Sequence, residues 1–308
     1  MIPLVSIIYV NYNTSALLIS SIESIIRHCR EISFEIIIND NASREQEKNF
    51  LKEWVSQNLD KQVNLIFSAQ NEGFAKANNA GAEHSNGEYL FFLNPDTLVV
   101  NDVLKIFSDF LESSELKVAA VGGNLLRADL SPNYTYGNFP GIMLELCNIG
   151  LGLSVLLNRY YKNRLAIGCK VSDKMIRKVP YIIGAAIFIP AVNFNLIHGF
   201  DENYFMYYEE TDLFKRLREV GLDAYILPEA EIIHFEGAAV GKSDPEKFNY
   251  HKFEMLLHSK FYYYQKWKPE IAGLIRAIVL LQIIVQYFKG KWGNDLRRLL
   301  SLYHRSRA

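Results

Sequence analysis

Cysteine is scarce in this sequence, and the few cysteines that occur follow no recognisable pattern. The 308 residues include Cys29, Cys147 and Cys169, and none of them belongs to a CxxC pair. A sparse and odd set of this kind predicts neither a disulfide framework nor a zinc site. We therefore interpret the three cysteines as reduced thiols and expect a cytoplasmic protein.

The sequence also lacks an excess of charge and a long apolar run. Its formal net charge is −1 and its pI is about 6.7, so the whole chain gives no electrostatic reason to expect nucleic-acid binding. Charged and amide side chains interrupt every apolar stretch before it reaches the roughly 18 residues of a membrane span, so we expect none. The first residues, MIPLVSIIYVNYN, lack a basic start and a cleavage-like end, which predicts a first strand rather than a signal peptide.

Short apolar runs alternate with amphipathic stretches through the first part of the chain. Hydrophobic residues make up 49% of the sequence, enough for the core of a large domain. Short strands separated by helices predict βαβ crossovers. They therefore predict an α/β fold with a mainly parallel sheet covered by helices on both faces. The runs are Val5 to Val10, Phe34 to Ile38, Val63 to Phe67, Tyr89 to Leu93 and Val118 to Val121.

Polar clusters follow three of these strands. They are Asn11 to Asn13, Asn39 to Ser43, and Asn94-Pro95-Asp96. Ligands of an open α/β sheet bind outside the carboxyl ends of its strands, so we expect the three clusters to converge there. In the third cluster Pro95 cannot donate to a strand ladder, so pairing ends and Asp96 is placed at that edge. Simple loop chemistry remains the alternative for each cluster taken alone.

A second polar region lies between Gly199 and Gly221. Leu213, Leu217 and Val220 recur at helical spacing and predict a buried stripe, whereas Glu209, Asp212 and Arg216 share another face. The acidic residues are mixed with Tyr204, Phe205, Met206, Tyr207 and Tyr208. A carboxylate beside apolar walls gains the raised pKa that a general base needs. The alternative is an acidic helix start that faces solvent.

The segments between and beyond these regions carry fewer signals. Residues 127–141 predict a loop, residues 142–160 predict a helix, and neither stretch suggests any chemistry. Tyr181 to Pro190 has strand composition, and its small residues 184–186 allow a close approach to the backbone. Residues 222–227 and 231–235 predict a strand pair that turns at Pro228. His234, late in this pair, is either a packing residue or a metal ligand together with Asp96.

In this order the motifs resemble the family 2 glycosyltransferases with the GT-A fold, particularly the bacterial rhamnosyltransferase-like members that build surface polysaccharides. Four segments across residues 4–237 carry the resemblance: VSIIYVNYN, NDNAS, NEGFAKANNAGAEHSNGEYLFFLNPDT, and GFDENYFMYYEETDLFKRLREVG followed by EIIHFEG. It implies a GT-A catalytic domain at residues 1–240 and leaves residues 241–308 as a C-terminal helical extension.

The resemblance implies a role for particular residues. Asn94-Pro95-Asp96 takes the place of the family's Asp-x-Asp motif, so Asp96 and His234 would bind Mg²⁺ or Mn²⁺. Glu210 would be the catalytic base, with Glu209 as the adjacent alternative. The nucleotide sugar would contact Val10, Asn11, Tyr12, Asp40, Gly73, Asn79, Asn94 and Asp96. The sequence departs from the pattern at Asn94, which replaces an acid, and at Glu209-Glu210, which replaces Glu-Asp.

The same resemblance implies an inverting, metal-dependent transfer of a sugar in cell-surface polysaccharide synthesis. The donor would be a nucleotide-diphosphate sugar, with dTDP-rhamnose expected first and UDP- or GDP-sugars left open. The acceptor would be a hydroxyl of a polysaccharide or of a lipid-linked glycan. A nucleotidyltransferase is the competing enzyme class, but NYNTSA is not the basic glycine-rich loop it needs. A non-catalytic nucleotide-sugar-binding or scaffold protein is the other alternative.

The C-terminal extension is apolar and basic. Its apolar segment from Ile271 contains Arg276, Gln282 and Gln286, and cationic residues follow it from Lys289 onward. Such a helix fits an interfacial position on anionic lipid, at the inner face of the cell membrane. Packing on the catalytic domain or in a homo-oligomer interface fits it equally well, and the sequence leaves both possibilities open.

Overall fold

A computed structural model describes residues 3–58, 63–152, 169–235, 248–292 and 295–306. The chain divides into two compact units. The first, here called the sheet unit, comprises Met1–Gly137, Gly168–Glu202 and Glu209–Gly241. The second, here called the helical unit, comprises Asn138–Ile167, Asn203–Tyr208 and Lys242–Ala308.

The first part of the sheet unit is a parallel sheet with crossover helices. Its strands are β1 (Val5–Asn11), β2 (Phe34–Asp40), β3 (Val63–Phe67) and β4 (Tyr89–Leu93). Helices α1 (Ser15–His28), α2 (Glu45–Asn58) and α3 (Gly73–Glu83) connect them. β1 pairs in parallel with both β2 and β4, so these three strands end at the same edge of the sheet. This confirms the predicted α/β fold and its strand positions.

The second part of the sheet is mixed. Its elements are β5 (Thr97–Val99), α4 (Val103–Ser113), β6 (Val118–Leu126), β7 (Tyr134–Gly137), β8 (Cys169–Lys170), β9 (Arg177–Val179), β10 (Tyr181–Ile182), β11 (Ala186–Pro190) and β12 (Asp223–His234). The large sheet has the order β3-β2-β1-β4-β11-β6-β12-β5, and β9 pairs with β12. β11 runs antiparallel to its neighbours β4 and β6. The order β10-β7-β8 forms a small second sheet.

Six further helices complete the described residues. They are α5 (Ile142–Asn148), α6 (Ala191–Leu196), α7 (Glu209–Glu219), α8 (Tyr250–Trp267), α9 (Pro269–Phe288) and α10 (Leu296–Arg305). Helix α7 packs in the sheet unit, where it buries Leu213 and Leu217. Val220 lies outside the helix and is 52% exposed, so its predicted place in the buried stripe is wrong. The helical turn closes at Gly221, which turns Val220 toward solvent.

The strand pair predicted around Pro228 is instead one continuous strand. β12 runs parallel to β6 along its length, with a register shift between Leu227 and Glu231. Pro228 has no N–H to donate, and a bulge tolerates such a residue without ending the strand. Ala230 in this bulge approaches so closely that a Cβ on Gly123 would lie 2.5 Å from its carbonyl oxygen.

Three more predictions are only partly met. Tyr181 to Pro190 is divided into β10 and β11 by residues 183–185 rather than forming one strand. The predicted loop at residues 127–141 contains β7, because Tyr134–Gly137 pairs with both β8 and β10. Of the helix predicted at residues 142–160, α5 covers Ile142–Asn148, and the part from residue 153 lies outside the described residues.

The core of the sheet unit lies around β4, all of whose residues are buried. Phe91, Phe107 and Phe188 meet there with ring centroids 5.2–5.8 Å apart. A strand covered on both faces explains why its sequence is a continuous apolar run. This packing holds the end of β4, where Asn94 follows, in a defined position.

The helical unit encloses an ion pair. Glu145 of α5 is fully buried, and Nζ of Lys260 in α8 donates to its Oε2 at 2.8 Å. Tyr264 donates to Oε1 at 3.2 Å, and burial, followed by the charge of Glu145, raises the pKa of Tyr264. Gln282 of α9 donates to the same carboxylate at 3.1 Å. Such a network satisfies a charge that burial would otherwise strongly disfavour.

By length and composition, Pro269–Phe288 could cross a membrane. The buried core helices of soluble proteins meet the same criterion, and 39% of its apolar window is buried inside the structure.

Candidate active site

The polar clusters after β1 and β2 meet at the carboxyl edge of the sheet, as predicted. Nδ2 of Asn11 donates to Oδ2 of Asp40 at 2.8 Å, and the backbone N–H of Ser43 donates to Oδ1 at 2.9 Å. Asn11 and Asp40 are both fully buried. Val10 is half-buried on β1, and Tyr12 is 45% exposed beside them. The two loops thus form a rigid, polar floor with an aromatic ring at its rim.

The start of α3 is tied to this floor through Asn41. Nδ2 of Asn41 donates to the carbonyl of Gly73 at 3.2 Å, and its Oδ1 accepts from the backbone N–H of Glu72 at 2.9 Å. Gly73 has a φ of 83°, which a side chain would strain. These bonds place the N-terminus of α3 beside the loop after β2.

Asn79, in contrast, is fully engaged in holding another segment. Its Nδ2 donates to the carbonyl of Phe200 at 2.9 Å and to Glu202 at 3.0 Å, and its Oδ1 accepts from the N–H of Phe200 at 2.9 Å. Gly199 has a φ of 69°, and a Cβ there would lie 2.7 Å from Oδ1 of Asn79. The structure therefore places Asn79 against the loop before α7.

Hydrogen bonds from both directions hold the turn after β4. The backbone N–H of Asn94 donates to the carbonyl of Ala185 at 2.9 Å, and the hydroxyl of Thr97 donates to the carbonyl of Asn94 at 2.7 Å. Because its proton is used there, Thr97 accepts from Ser21 at 3.3 Å, and Ser21 accepts from Tyr9 at 3.0 Å. Burial raises the pKa of Tyr9, so this phenol keeps its proton for the chain of hydroxyl groups.

Asp96 and His234 lie side by side, as the metal-site prediction requires. Oδ1 of Asp96 is 3.4 Å from Nε2 of His234. Asp96 is buried, and its Oδ1 accepts no hydrogen bond. The antiparallel pairing of β5 with β12 sets His234 opposite Thr97, the residue after Asp96. Nδ2 of Asn133 also donates to the carbonyl of His234 at 3.5 Å.

This pair fits a divalent cation in part. A buried carboxylate oxygen without a partner, next to an imidazole nitrogen, is a donor pair that Mn²⁺ or Mg²⁺ accepts. Within the described ranges no cluster of three or more histidine, cysteine, aspartate or glutamate residues could hold a metal. The described side chains therefore offer two ligands, and a bound ion needs further oxygen atoms from a ligand or from water.

Helix α7 begins with Glu209, which is buried, and Glu210, which is half-buried with its Oε2 atom enclosed. Oε2 of each lacks a hydrogen-bond partner. Burial raises the pKa of Glu210 to about 7, against a lowering effect of backbone N–H groups at the helix start. Burial, together with the charge of Glu210, raises the pKa of Glu209 well above its usual range. Both carboxyl groups therefore hold a proton more tightly than a glutamate in water does.

A short segment connects these carboxyl groups with the turn after β4. A Cβ on Gly184 would lie 3.8 Å from Cβ of Glu210, and the next residue, Ala185, accepts the N–H of Asn94. Asp212 fixes the other side of α7, since it accepts from Arg216 at 2.7 Å, and Arg216 donates to the carbonyl of Ile197 at 2.6 Å. The first turn of α7 thus lies with Cβ of Glu210 beside Gly184.

Backbone strain lies directly before these two glutamates. Tyr207 and Tyr208 have φ values of 70° and 69°. Bulky residues rarely adopt this left-handed conformation, and strain of this kind clusters at functional sites. The conformation begins α7 abruptly, so that Glu209 and Glu210 occupy its first turn.

Sequence reasoning missed the residues that hold the site. Tyr9, Ser21 and Thr97 belong to an apolar strand, a helix face and a presumed turn, and each looks ordinary in its own segment. The one signal was a threonine directly after Asn94-Pro95-Asp96, where it bonds three residues back. Asn133, in a stretch predicted as a loop, gave no signal.

Known proteins similar to this chain include several that are named as glycosyltransferases. Residues 6–139 match the family model described as glycosyl transferase family 2. Rhamnosyltransferase WbbL of Escherichia coli (strain K12) is 25% identical over 170 residues, which cover 53% of this chain and 61% of that protein. The dTDP-rhamnosyl transferase RfbF of Shigella flexneri is 24% identical over 234 residues, which cover 75% and 68%. The chain spans 50% and 61% of the length of two of the curated relatives that it matches.

Among solved structures, the chain is similar to mannosyltransferase PcManGT from Pyrobaculum calidifontis, determined in complex with GDP-Man and Mn²⁺. The TM-score is 0.57 at 13% sequence identity, and the match covers 99% of this chain and 80% of that one. At this identity the likeness concerns the fold, and it confirms the predicted GT-A architecture.

Proposed function

We propose, from the premise that this chain belongs to glycosyl transferase family 2 through residues 6–139, that it is an inverting, metal-dependent transferase. It would move a sugar from a nucleotide-diphosphate donor to a hydroxyl of a polysaccharide or lipid-linked glycan in cell-surface polysaccharide synthesis. Rhamnose is the first sugar to test, because relatives named as rhamnosyltransferases match up to 75% of the chain.

One observation supports this proposal most. The structure joins a carboxyl group with a pKa of about 7, Glu210, to the turn that carries Asp96, through residues 184–185. Transfer to a hydroxyl needs a base near neutral pH on one side of the anomeric carbon. It also needs charge stabilisation at the diphosphate on the other side. The sheet edge offers both within one connected set of residues.

Glu210 would take the proton of the acceptor hydroxyl as that oxygen attacks the anomeric carbon. The bond from this carbon to the diphosphate oxygen breaks at the same time, and attack opposite the leaving group inverts the centre. Burial and the charge of Glu210 raise the pKa of Glu209, so a proton held by Glu209 would limit the negative charge in the pair. A positioned base of this kind contributes about 10²–10⁴-fold to the rate.

Asp96 and His234 would hold a Mg²⁺ or Mn²⁺ ion, which when bound neutralises charge that develops on the leaving diphosphate. The role of this chain's own residues is to present a carboxylate oxygen of the buried Asp96 and an imidazole nitrogen of the half-buried His234, 3.4 Å apart. Because these are few ligands, we expect weak metal affinity without a nucleotide sugar and tighter binding with it. Asn94, in place of an acid, lowers the charge available to the ion.

The nucleotide would lie on the floor made by the loops after β1 and β2. Asp40 already accepts from Asn11 and Ser43, so contact with a base would use its remaining lone pairs. Val10, Tyr12 and Gly73 line the same edge and complete the proposed pocket. Asn79 would act indirectly, by fixing the loop before α7.

A donor screen tests the proposal. The purified chain would be incubated with dTDP-, UDP- and GDP-sugars and Mn²⁺ or Mg²⁺, while thermal stabilisation and release of the nucleotide diphosphate are measured. We expect one donor class to stabilise the protein in a metal-dependent way and to be turned over slowly. Metal-dependent binding without any turnover, also with added glycan acceptors, would favour the alternative of a non-catalytic nucleotide-sugar-binding protein.

A further inference from the structure

Helix α9 carries large apolar side chains on its exposed face as well as on its buried face. Its amides point inward: Gln282 donates to the carbonyl of Glu145 at 2.6 Å, and Gln286 donates to the carbonyl of Asn148 at 3.2 Å. Its outer face carries Leu274, Leu281 and Phe288, which are 51%, 43% and 76% exposed. A helix that is apolar outward as well as inward is normally covered on both sides.

The exposed side chains form a continuous outer stripe, defined here as Leu274, Ala277, Leu281 and Phe288. Their spacing of three, four and seven residues places them on one face, and the stripe extends about 20 Å along the helix. Leu151, which is 60% exposed, lies near the C-terminal end of α9. Its neighbour Gly150 accepts a hydrogen bond from Lys289, the residue that follows α9.

Positively charged side chains follow the C-terminal end of the outer stripe. Lys289 and Lys291 are exposed directly after Phe288, and Arg297 is exposed at the start of α10. The helical unit contains 16 of the chain's 33 lysine and arginine residues, but only 6 of its 34 aspartate and glutamate residues. The helical unit is therefore strongly basic although the net charge of the whole chain is close to zero. An asymmetry of this kind indicates an anionic partner for the basic part.

We infer that the helical unit docks on an anionic phospholipid bilayer through the outer stripe of α9. Leu274, Leu281 and Phe288 would enter the boundary between headgroups and acyl chains, and Lys289 and Lys291 would contact lipid phosphate groups. An apolar face bordered by cations is the pattern of an interfacial helix. The inference goes beyond sugar transfer and stands without it, because it rests on the helical unit alone.

A dimer contact and a membrane span both fit the outer stripe less well than a lipid surface does. A second copy of the chain would bring two such faces together in a symmetric contact, and their like charges would repel. A membrane-spanning α9 would have to leave its hydrogen bonds with residues 145–149, and Glu145 would lose a buried partner. Docking of the outer stripe leaves these internal contacts intact.

Vesicle flotation of the full chain tests the inference. The protein would be mixed with vesicles of phosphatidylcholine alone, or of phosphatidylcholine with about 30% phosphatidylglycerol. We expect flotation with the anionic vesicles and little with the neutral ones. Raising the salt to about 0.5 M should weaken binding without abolishing it, since salt screens the charges and leaves the apolar contact.

Two variants and a matched control separate the parts of the docking surface. Leu281→Gln with Phe288→Gln should weaken partitioning about a hundredfold. Lys289→Gln with Lys291→Gln should weaken it about thirtyfold. The control is Val192→Gln with Leu196→Gln, which changes two side chains of α6, 73% and 57% exposed, in the sheet unit. This control should float like the unmodified chain.

Two outcomes would overturn the inference. The first is a lipid-binding result: either the unmodified chain does not bind anionic vesicles, or the Leu281 and Phe288 double variant floats as well as the unmodified chain. The second is that size-exclusion chromatography with light scattering shows a dimer that this double variant dissociates, without vesicle binding. A circular dichroism spectrum matching the unmodified chain confirms that each variant is folded.

Discussion

At the scale of single residues, Glu210 couples the proposed chemistry to stability. Its carboxyl pKa is about 7 in the folded protein, against an ordinary value of 4.5. The folded state therefore holds a proton that the unfolded state releases between these values, so stability falls as the pH rises through this window. The proposed base thus costs the protein stability at the pH where it would act.

Glu210→Gln should remove this loss. We expect the variant and the unmodified chain to unfold alike below a pH of about 4.5, and the variant to gain up to about 3 kcal/mol above a pH of about 7. Urea unfolding followed at several pH values measures the difference. Glu219→Gln, at the exposed end of the same helix, is the control and should show no such gain. A constant difference at all pH values would mean that Glu210 does not have the raised pKa.

Asp96 is the residue on which the proposed metal site depends most. Asp96→Asn keeps the size of the side chain but removes the negative charge next to His234. We expect Mn²⁺-dependent binding of the nucleotide sugar to weaken at least about tenfold, as measured by calorimetry with and without the metal. Asp109→Asn on the exposed face of α4 is the matched control. Unchanged metal dependence in Asp96→Asn would place the ion elsewhere.

At the scale of elements, the hydroxyl chain from β1 through α1 to β5 positions the turn that carries Asp96. Thr97→Val removes the hydroxyl that bonds to the carbonyl of Asn94 and to Ser21. The loss of these buried hydrogen bonds should reduce the free energy of unfolding by about 1–3 kcal/mol. It should also weaken metal-dependent donor binding, because the turn is no longer fixed.

Thr97→Ser serves as the control for this prediction, since it keeps the hydroxyl and removes a methyl group. It should restore most of the metal-dependent binding. If Thr97→Val lost stability but bound donor and Mn²⁺ like the unmodified chain, the hydroxyl chain would support the sheet without positioning the site.

The helical unit depends on the buried pair of Glu145 and Lys260. Lys260→Met leaves the carboxylate of Glu145 buried without its cation, which typically costs about 3–5 kcal/mol. Glu145→Leu combined with Lys260→Met removes both charges and should recover most of that loss. Thermal unfolding of the two variants measures this difference. Equal destabilisation by the single and the double change would show that shape rather than charge pairing matters here.

The sequence predicts elements well where one face or both faces are uniformly buried. β4 matches its predicted range because it is covered on both sides, and β12 was misjudged because a bulge at Pro228 resembles a turn. In the sequence, the two glutamines of α9 only interrupt an apolar segment. They are instead its buried contacts, because their partners lie more than a hundred residues away in α5.

The candidate site could be predicted to a different extent for each residue. Asn11 with Asp40, and Asp96 with His234, are brought together as their motifs indicated. Asn79 is a residue of the same motif region, yet it binds the loop before α7. No local pattern reveals this bond, because it joins residues that only the complete fold places side by side.

At the scale of the whole molecule, the charges divide between the two units. The helical unit is basic, so the excess of acidic residues belongs to the sheet unit. An acidic surface would repel a nucleotide diphosphate in general, which makes local charge compensation at the site necessary. In the proposed mechanism, a cation held by Asp96 and His234 would supply this compensation.

The central claim is that Glu210 is the base of a metal-dependent sugar transfer. The most direct test measures release of the nucleotide diphosphate by the unmodified chain, Glu210→Gln and Glu209→Gln, with the donor found by the screen, over a pH range of about 5 to 9. The rate of diphosphate release by the unmodified chain should rise as the pH increases through about 7. Glu210→Gln should release the diphosphate about 10²–10⁴-fold more slowly while still binding the donor. Near-normal turnover by Glu210→Gln, with loss in Glu209→Gln, would contradict the account.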